Sequence, residues 1–237
     1  MPPMTPPPDD VDAMAGRYAR RAALSGLYDP LRPEVMQARH ERQRVLAALL
    51  ARHARQPLAE LRLLEVGCGS GANVLELIAL GFDPARLLAN ELLPDRVAAA
   101  RARLPAAVTL LPGDAMALPV EDGSLDLVLQ STVFSSLLDA RFRARLAAQM
   151  WAWLKPGGAV IWYDFAFDNP RNADVQGMPM AEVRRLFPAA TIDSRRVTLA
   201  PPLARSAARL HPVLPALLNT LPPLRTHRLA WIAKPDV

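Results

Sequence analysis

The sequence predicts an α/β domain built around a mostly parallel sheet, and three observations carry that prediction. Short apolar runs alternate with helix-like stretches between residues 61 and 164, at the spacing of βαβ units. Three of the 11 glycines fall in Gly67-Cys68-Gly69-Ser70-Gly71, directly after the first of those runs. The chain has 237 residues, 51% hydrophobic and 22% charged, which is enough for one substantial core and too apolar for disorder.

Residues 1–10, MPPMTPPPDD, read as a disordered tail with little to bury. Residues 11–56 show apolar side chains at helical spacing, broken by Tyr28-Asp29-Pro30 and Pro33, and form an expected N-terminal helical cap. The main domain then spans 57–237. Leu61 to Val66 is a short buried strand, followed by the glycine turn and a helix from Asn73 to Leu80. Arg86 to Leu92 is a second strand, and Pro94 to Arg103 a helix whose proline suits its first turn. Ala107 to Leu111 is a third strand and Leu125 to Gln130 a fourth, with a long helix from about Leu137 to Leu154. Pro156-Gly157-Gly158 reads as a turn and Ala159 to Asp164 as a fifth strand. A helix near Met180–Phe187, a strand near Thr191–Leu199, a proline-punctuated insert at about 200–223 and a last strand from Arg225 to Ile232 complete the chain.

Composition excludes several classes. A single cysteine allows no intramolecular disulfide and no cysteine-built metal site. No apolar run approaches the roughly 20 residues of a membrane-spanning helix. The first ten residues have neither a basic segment nor an apolar one, so no signal peptide is expected and the cytoplasm is the expected location. The net charge is +5, but residues 57–170 carry 9 basic and 13 acidic side chains while the flanks carry 19 and 10. No basic run or interleaved aromatic platform appears, so DNA binding is not expected.

The glycine turn carries the chemistry. Glycine there permits positive φ and close approach of a ligand, while the next helix offers free N–H groups. Glu91 stands twenty residues after Gly71, where an acid can accept hydrogen bonds from both ribose hydroxyls. The plain alternative is a tight turn with a surface glutamate. Gly67 to Ala72 also satisfies the dinucleotide pattern G-x-G-x-x-A, so an NAD(P)-dependent oxidoreductase is a second reading. Glu65 argues against it, because a carboxylate two residues before the first glycine opposes a pyrophosphate but suits the cationic methionine end of S-adenosyl-L-methionine (SAM). Asp114, in Pro112-Gly113-Asp114-Ala115, stands where it could accept from an adenine amino group.

Leu64-Glu65-Val66-Gly67-Cys68-Gly69-Ser70-Gly71 resembles motif I of class I SAM-dependent methyltransferases. Asn90-Glu91, Gly113-Asp114-Ala115, Leu125-Asp126-Leu127-Val128 and Leu154-Lys155-Pro156-Gly157-Gly158 are similar to the later motifs in order and spacing. The resemblance covers about residues 60–165 and is to methyltransferase type 11-like domains. It implies a Rossmann-like, seven-stranded, mostly parallel sheet with the last strand antiparallel and helices on both faces. It also implies SAM as cofactor, with Glu65, Gly67, Gly69 and Gly71 along the methionine and ribose and Glu91 on the ribose diol. Asp114, Ala115 and Met116 would take the adenine, Gln130 and Ser131 the floor beneath the sulfonium, and Tyr28-Asp29 a place over the ligand. Cys68 occupies a common cysteine position of the motif and reads as packing, not as a nucleophile.

Methyl transfer from a sulfonium needs alignment and exclusion of water, and a base only when the acceptor must lose a proton early. The segment Ser131 to Ser136 holds no titratable group and matches neither the tetrapeptide of amino-methylating nucleic-acid enzymes nor the cysteine of cytosine-C5 enzymes. The catalytic candidates are therefore Tyr163 and Asp164, at the carboxyl end of strand five, and His227 at the start of the last strand. His40 and His53 read as surface residues. Asp168-Asn169 is similar to the acidic pair of metal-dependent catechol methyltransferases, but the third ligand is missing, so no metal is expected. Asn169, Arg171 and Asn172 read equally as a solvated turn or a substrate clamp.

The apolar stretch Leu203–Leu224 reads first as core packing or a lid, with a homodimer surface or an interfacial element as alternatives. Taken whole, the chain resembles bacterial methyltransferases of polysaccharide and secondary-metabolite pathways. The expected function is SAM-dependent methyl transfer to a small-molecule or glycan acceptor, on a hydroxyl. A SAM-binding protein without methyl transfer is the remaining alternative.

Overall fold

Leu63-Leu64-Glu65-Val66 (β1) is buried along its whole length, as a strand must be when it has partners on both sides and helices on both faces. The computed structural model describes residues 16, 26, 29–168 and 174–236. The expected tail, most of the helical cap before Asp29, Tyr28, and Asn169, Arg171 and Asn172 lie outside the described residues.

The strands are β1, β2 (Leu87–Glu91), β3 (Thr109–Pro112), β4 (Leu125–Ser131), β5 (Leu154–Phe165), β6 (Thr191–Leu199) and β7 (Arg225–Ala233). They form one seven-stranded sheet in the order β3-β2-β1-β4-β5-β7-β6. β1 pairs in parallel with β2 and β4, and β4 with β5, while β7 runs antiparallel to both β5 and β6. The Rossmann-like fold expected from the sequence is the fold observed. Helices α1 (Pro33–His53), α2 (Ala72–Ala79) and α3 (Pro94–Arg103) cover one face, packing Leu50, Leu77 and Ala100 against Leu63, Leu127 and Ile161. On the other face α4 (Ala140–Trp153) and α5 (Met180–Leu186) bring Met150, Trp153 and Val183 against Val128, Trp162 and Ile232.

Three departures from the expected elements have local causes. β5 begins at Leu154, not Ala159, because Leu154 already pairs with Leu125. The Pro-Gly-Gly segment is an irregularity within the strand, where Gly157 takes φ +72° and a Cβ on Gly158 would meet the Asp126 carbonyl at 2.8 Å. α4 begins at Ala140 because the Asp139 carboxylate accepts the Arg141 N–H at 2.7 Å and caps it. The 201–223 stretch folds into α6 (Pro201–Leu210) and α7 (Leu214–Leu218), each with proline in its first turn. It packs through Ala204, Ala207 and Pro215, while Leu210, Val213, Leu217 and Leu221 are exposed, so core packing describes only one side of it. Among the described residues, no helix is long and apolar enough to cross a membrane.

α1 is tied to the far edge of the sheet by polar contacts. The buried Glu41 carboxylate accepts the Thr198 N–H at 2.7 Å and lies 3.6 Å from Arg225. Thr198 has φ +65°, a conformation that a threonine holds only when its surroundings fix it. His53, expected at the surface, stacks on Trp231 with centroids 5.4 Å apart and bonds Asp193 at 3.0 Å. Removing the Glu41 acceptor leaves the Thr198 N–H buried without a partner. Glu41→Ala should therefore lower unfolding stability by about 1–3 kcal/mol, read from urea transitions. An unchanged midpoint would show that the contact does not hold α1.

Candidate functional site

The chain leaves β1 in one direction across the sheet and returns to β4 on its other side, so a crevice opens outside their carboxyl ends. The buried Glu65, Asn90 and Glu91 stand at the carboxyl ends of β1 and β2. Gly67, Gly69 and Gly71 have φ of +68°, +58° and +83°. A Cβ on Gly67 would sit 2.7 Å from Val133 Cγ2, so the turn closes against the loop after β4. Gly71 is the N-cap of α2, and this left-handed turn brings the turn's backbone amides towards the crevice.

Three carboxylates line the crevice. Glu65, at the carboxyl end of β1, is completely buried. Its Oε1 accepts from Asn73 Nδ2 at 2.6 Å, while its buried Oε2 has no hydrogen-bond partner among the described residues. Burial pushes its pKa up to about 7, against the opposing effect of Asn73. Glu91, ending β2, is buried and held by two backbone donors, Gly69 N–H on Oε2 at 2.8 Å and Leu93 N–H on Oε1 at 2.9 Å. Each oxygen keeps a lone pair for a further donor. Asp114, after β3, accepts the Met116 N–H on Oδ1 at 3.0 Å, and its buried Oδ2 has no partner among the described residues. Asn90 fixes this loop by donating to the carbonyls of Leu111 and Gly113 at 3.0 and 2.8 Å.

The second wall follows β4. Gln130 is fully buried and accepts the Val133 N–H at 3.1 Å; Ser131 is half-buried at the strand end. Thr132 has φ +58°, and the hydroxyls of Ser135 and Ser136 both donate to its carbonyl. Cys68 is buried and its thiol is pushed up to about 12, first by burial and then by Glu65 and Glu91. It is therefore a packed thiol, as its sequence position suggests.

The three expected catalytic residues sit differently from their sequence roles. Asp164 is buried with both oxygens engaged, Oδ2 by the Ser135 N–H at 3.1 Å and Oδ1 by the Phe165 N–H at 2.9 Å. Burial pushes its pKa up to about 6, yet its geometry anchors the loop after β4 and does not reach outward. Tyr163 points to the opposite face, where its hydroxyl bonds Thr198 Oγ1 at 2.9 Å and burial raises its pKa. His227 is stacked on Tyr163, with centroids 5.1 Å apart, and packed on Phe165 at 4.1 Å; burial lowers its pKa to about 3. It is a neutral core imidazole. None of the three is a free base.

Residues not singled out from the sequence complete the arrangement. Arg42, on α1, donates to Asn73 Oδ1 at 2.8 Å and to Glu76 Oε2 at 2.9 Å, and its guanidinium lies 5.2 Å from the Tyr163 ring centroid. Asn73 is the one of these with a local signal, since it opens the helix after the glycine turn.

Residues 63–158 match the family model described as a methyltransferase domain. A tRNA N(3)-cytidine methyltransferase of Gallus gallus is 30% identical over 115 residues, covering 45% of this chain and 31% of that protein. Among solved structures, Burkholderia thailandensis 1,6-didemethyltoxoflavin-N1-methyltransferase, with its substrate and S-adenosylhomocysteine bound, superposes with a TM-score of 0.64. It is 19% identical and the match covers 99% of this chain and 94% of that one. The [4+2]-cyclase SpnF has the same fold, with a TM-score of 0.58, 19% identity and coverage of 82% and 81%.

Glu65 keeps its proton to about pH 7 in the folded chain against an ordinary value of 4.5, so folding takes up a proton between those values. Stability from this group therefore falls as pH rises through that window. In the ligand-free chain, Glu65→Gln should be the more stable protein at pH 8, by on the order of 3 kcal/mol, with the difference shrinking towards pH 4.5. Denaturant melts across that range measure this, and a difference independent of pH would place the carboxylate in water.

Proposed function

We propose that the chain is a SAM-dependent methyltransferase acting on a small molecule or sugar. The observation that carries this reading is the pair of buried, unpartnered carboxylate oxygens, Glu65 Oε2 and Asp114 Oδ2, on either side of the backbone-pinned Glu91. Buried acceptors without donors cost stability unless a ligand supplies those donors. SAM has them in that order: an ammonium on the methionine end, a ribose diol and an adenine amino group.

The residues then take these roles. Glu65 faces the ammonium, while Gly67, Cys68, Gly69 and Gly71 let the backbone approach the methionine and ribose. Glu91 accepts from the diol, and Asp114, Ala115 and Met116 hold the adenine. Gln130 and Ser131 form the floor at the reacting end. A dinucleotide reading is disfavoured by Glu65, whose carboxylate would lie beneath the turn that a pyrophosphate must approach.

When bound, SAM supplies an electrophilic methyl group. The chain's own part is positioning and exclusion of water. Asp164 orients the 132–136 loop through the Ser135 N–H and acts as a positioning residue. With Asp164, Tyr163 and His227 all engaged or buried, the expected alcohol acceptor loses its base. An acidic hydroxyl or an amine, which needs no such help, fits better. The same lack of a free base favours a second reading, a SAM-binding protein without methyl transfer. A biosynthetic pathway, as for polysaccharides or secondary metabolites, remains the proposed setting.

Isothermal titration separates these readings from the oxidoreductase. S-adenosylhomocysteine should bind and NAD should not, with Glu91→Ala and Asp114→Ala each weakening the former about ten- to hundredfold. NAD binding without S-adenosylhomocysteine binding would reverse the assignment. Release of S-adenosylhomocysteine from SAM across fractionated cell metabolites should reveal the acceptor class, and no release with any fraction would favour binding alone.

A further inference from the structure

Beyond the cofactor crevice, Arg184, Arg196 and Arg228 have no counter-charge within ion-pair distance among the described residues. Arg196 on β6 and Arg228 on β7 are direct register partners, so their side chains leave the same face of the sheet. Arg228 shares that face with Ala230 and Ile232, which pack in the core beneath α5. Arg184 lies on α5, beside Val183, which is buried in the same core.

Two of these arginines are held in place by neutral groups. Arg228 donates to Ser194 Oγ at 3.3 Å, and the Arg196 guanidinium lies 5.1 Å from the centroid of the exposed Phe167 ring, just past the end of β5. Among the described residues, no carboxylate lies within ion-pair distance of any of the three. The contrast with their neighbours is direct. Arg195 pairs with Asp193, Arg225 lies 3.6 Å from Glu41, and Arg185 pairs with Glu182 at 2.7 Å. Burial, and then the charges of Arg196 and Arg184, lower the pKa of Arg228, so the three act on one another electrostatically. Three guanidinium groups brought together without an anion repel, and planar forks beside a hydroxyl form a good receptor for a tetrahedral oxyanion.

We propose that Arg184, Arg196 and Arg228, with Ser194, form a subsite for a phosphoryl group. Two register-paired arginines with a third on the helix over the same face suit one phosphoryl or diphosphoryl group of a small molecule better than a polynucleotide backbone. Its place gives it a use. Arg228 is the register partner of Asp164 at the carboxyl end of β5, and β5 pairs with β4 through Ser131 and Tyr163. Two or three strand spacings, about 10–14 Å, therefore separate the cluster from the end of β4. An acceptor with a phosphoryl group at one end and a nucleophile at the other spans that distance. Assigning the phosphoryl group to the acceptor rests on the methyl-transfer reading; binding of the group does not.

The test uses the intact chain and inorganic pyrophosphate, with phosphate as a second probe, at constant ionic strength in chloride. Pyrophosphate should bind saturably, followed by ³¹P line broadening and by a rise in melting temperature. Arg196→Gln and Arg228→Gln should each weaken it about tenfold, and the exposed charge reversal Arg184→Glu at least as much. Arg55→Gln, which breaks an exposed pair with Asp236, should leave it unchanged. Unchanged S-adenosylhomocysteine affinity in the same variants would show that they remain folded. Absence of saturable binding in the natural chain overturns the proposal, as does equal binding by the double variant R196Q/R228Q. Length-dependent binding of RNA that pyrophosphate does not displace would also overturn it, in favour of a nucleic-acid surface. If pyrophosphate binds as expected but S-adenosylhomocysteine does not bind at all, the methyl-transfer reading fails and the subsite stands.

Discussion

A carboxylate with no access to water, placed where the two halves of the sheet part, is the constraint around which this molecule is organised. Glu65 stands near the carboxyl end of β1, and its burial alone would penalise its charged form heavily. The surrounding structure offsets part of that cost. Asn73 supplies a donor, Asn73 is itself held by Arg42, and Arg42 is held by Glu76, so α1 and α2 are fastened to the sheet through one polar chain. The remaining oxygen of Glu65 has no partner among the described residues, and this links the folding problem to the ligand. A cation delivered to that oxygen completes the network.

Much of the first half of this arrangement can be read from the sequence because its signals are local. Each of Glu65, Glu91 and Asp114 stands at or just after a short apolar run, and in a parallel sheet that position alone brings it to the ligand end. The helix Pro94–Arg103 and the strand Thr191–Leu199 coincide with their expected limits for the same reason: proline at a helix start and apolar periodicity are local features. Arg42 and Glu41 carry no such signal. Their partners lie 31 and 157 positions away, and only the folded topology selects them. Tyr163 and Asp164 show the limit most clearly. Both stand at the right strand end, but successive residues of a strand face opposite ways, so one points to α1 and the other to α4 and α5. Sequence position brings them near the crevice; hydrogen bonds to Thr198 and Ser135 engage them elsewhere.

The charge asymmetry along the chain acquires a spatial meaning. The acidic central segment supplies the β1, β2 and β3 side, where the buried carboxylates gather. The basic C-terminal segment supplies Arg184 on α5, Arg196 on β6 and Arg228 on β7, which among the described residues have no carboxylate within ion-pair distance. A parallel sheet with one reversed strand thus separates a pole for a cationic ligand from a pole for an anionic one. β4, with its strained Thr132, lies between them. The exposed Leu210 and Leu217 belong to α6 and α7, the insert between β6 and β7.

The central claim is that Glu65 is buried for a cationic ligand, and its side-chain pKa reports on that directly. With ¹³C-labelled glutamate, the Glu65 carboxyl should titrate near pH 7 in the free chain. Saturation with S-adenosylhomocysteine, whose ammonium would face it, should lower that value by about two units or more. A Glu65 titration that stays near 7 with S-adenosylhomocysteine fully bound would place the ammonium elsewhere and contradict the account.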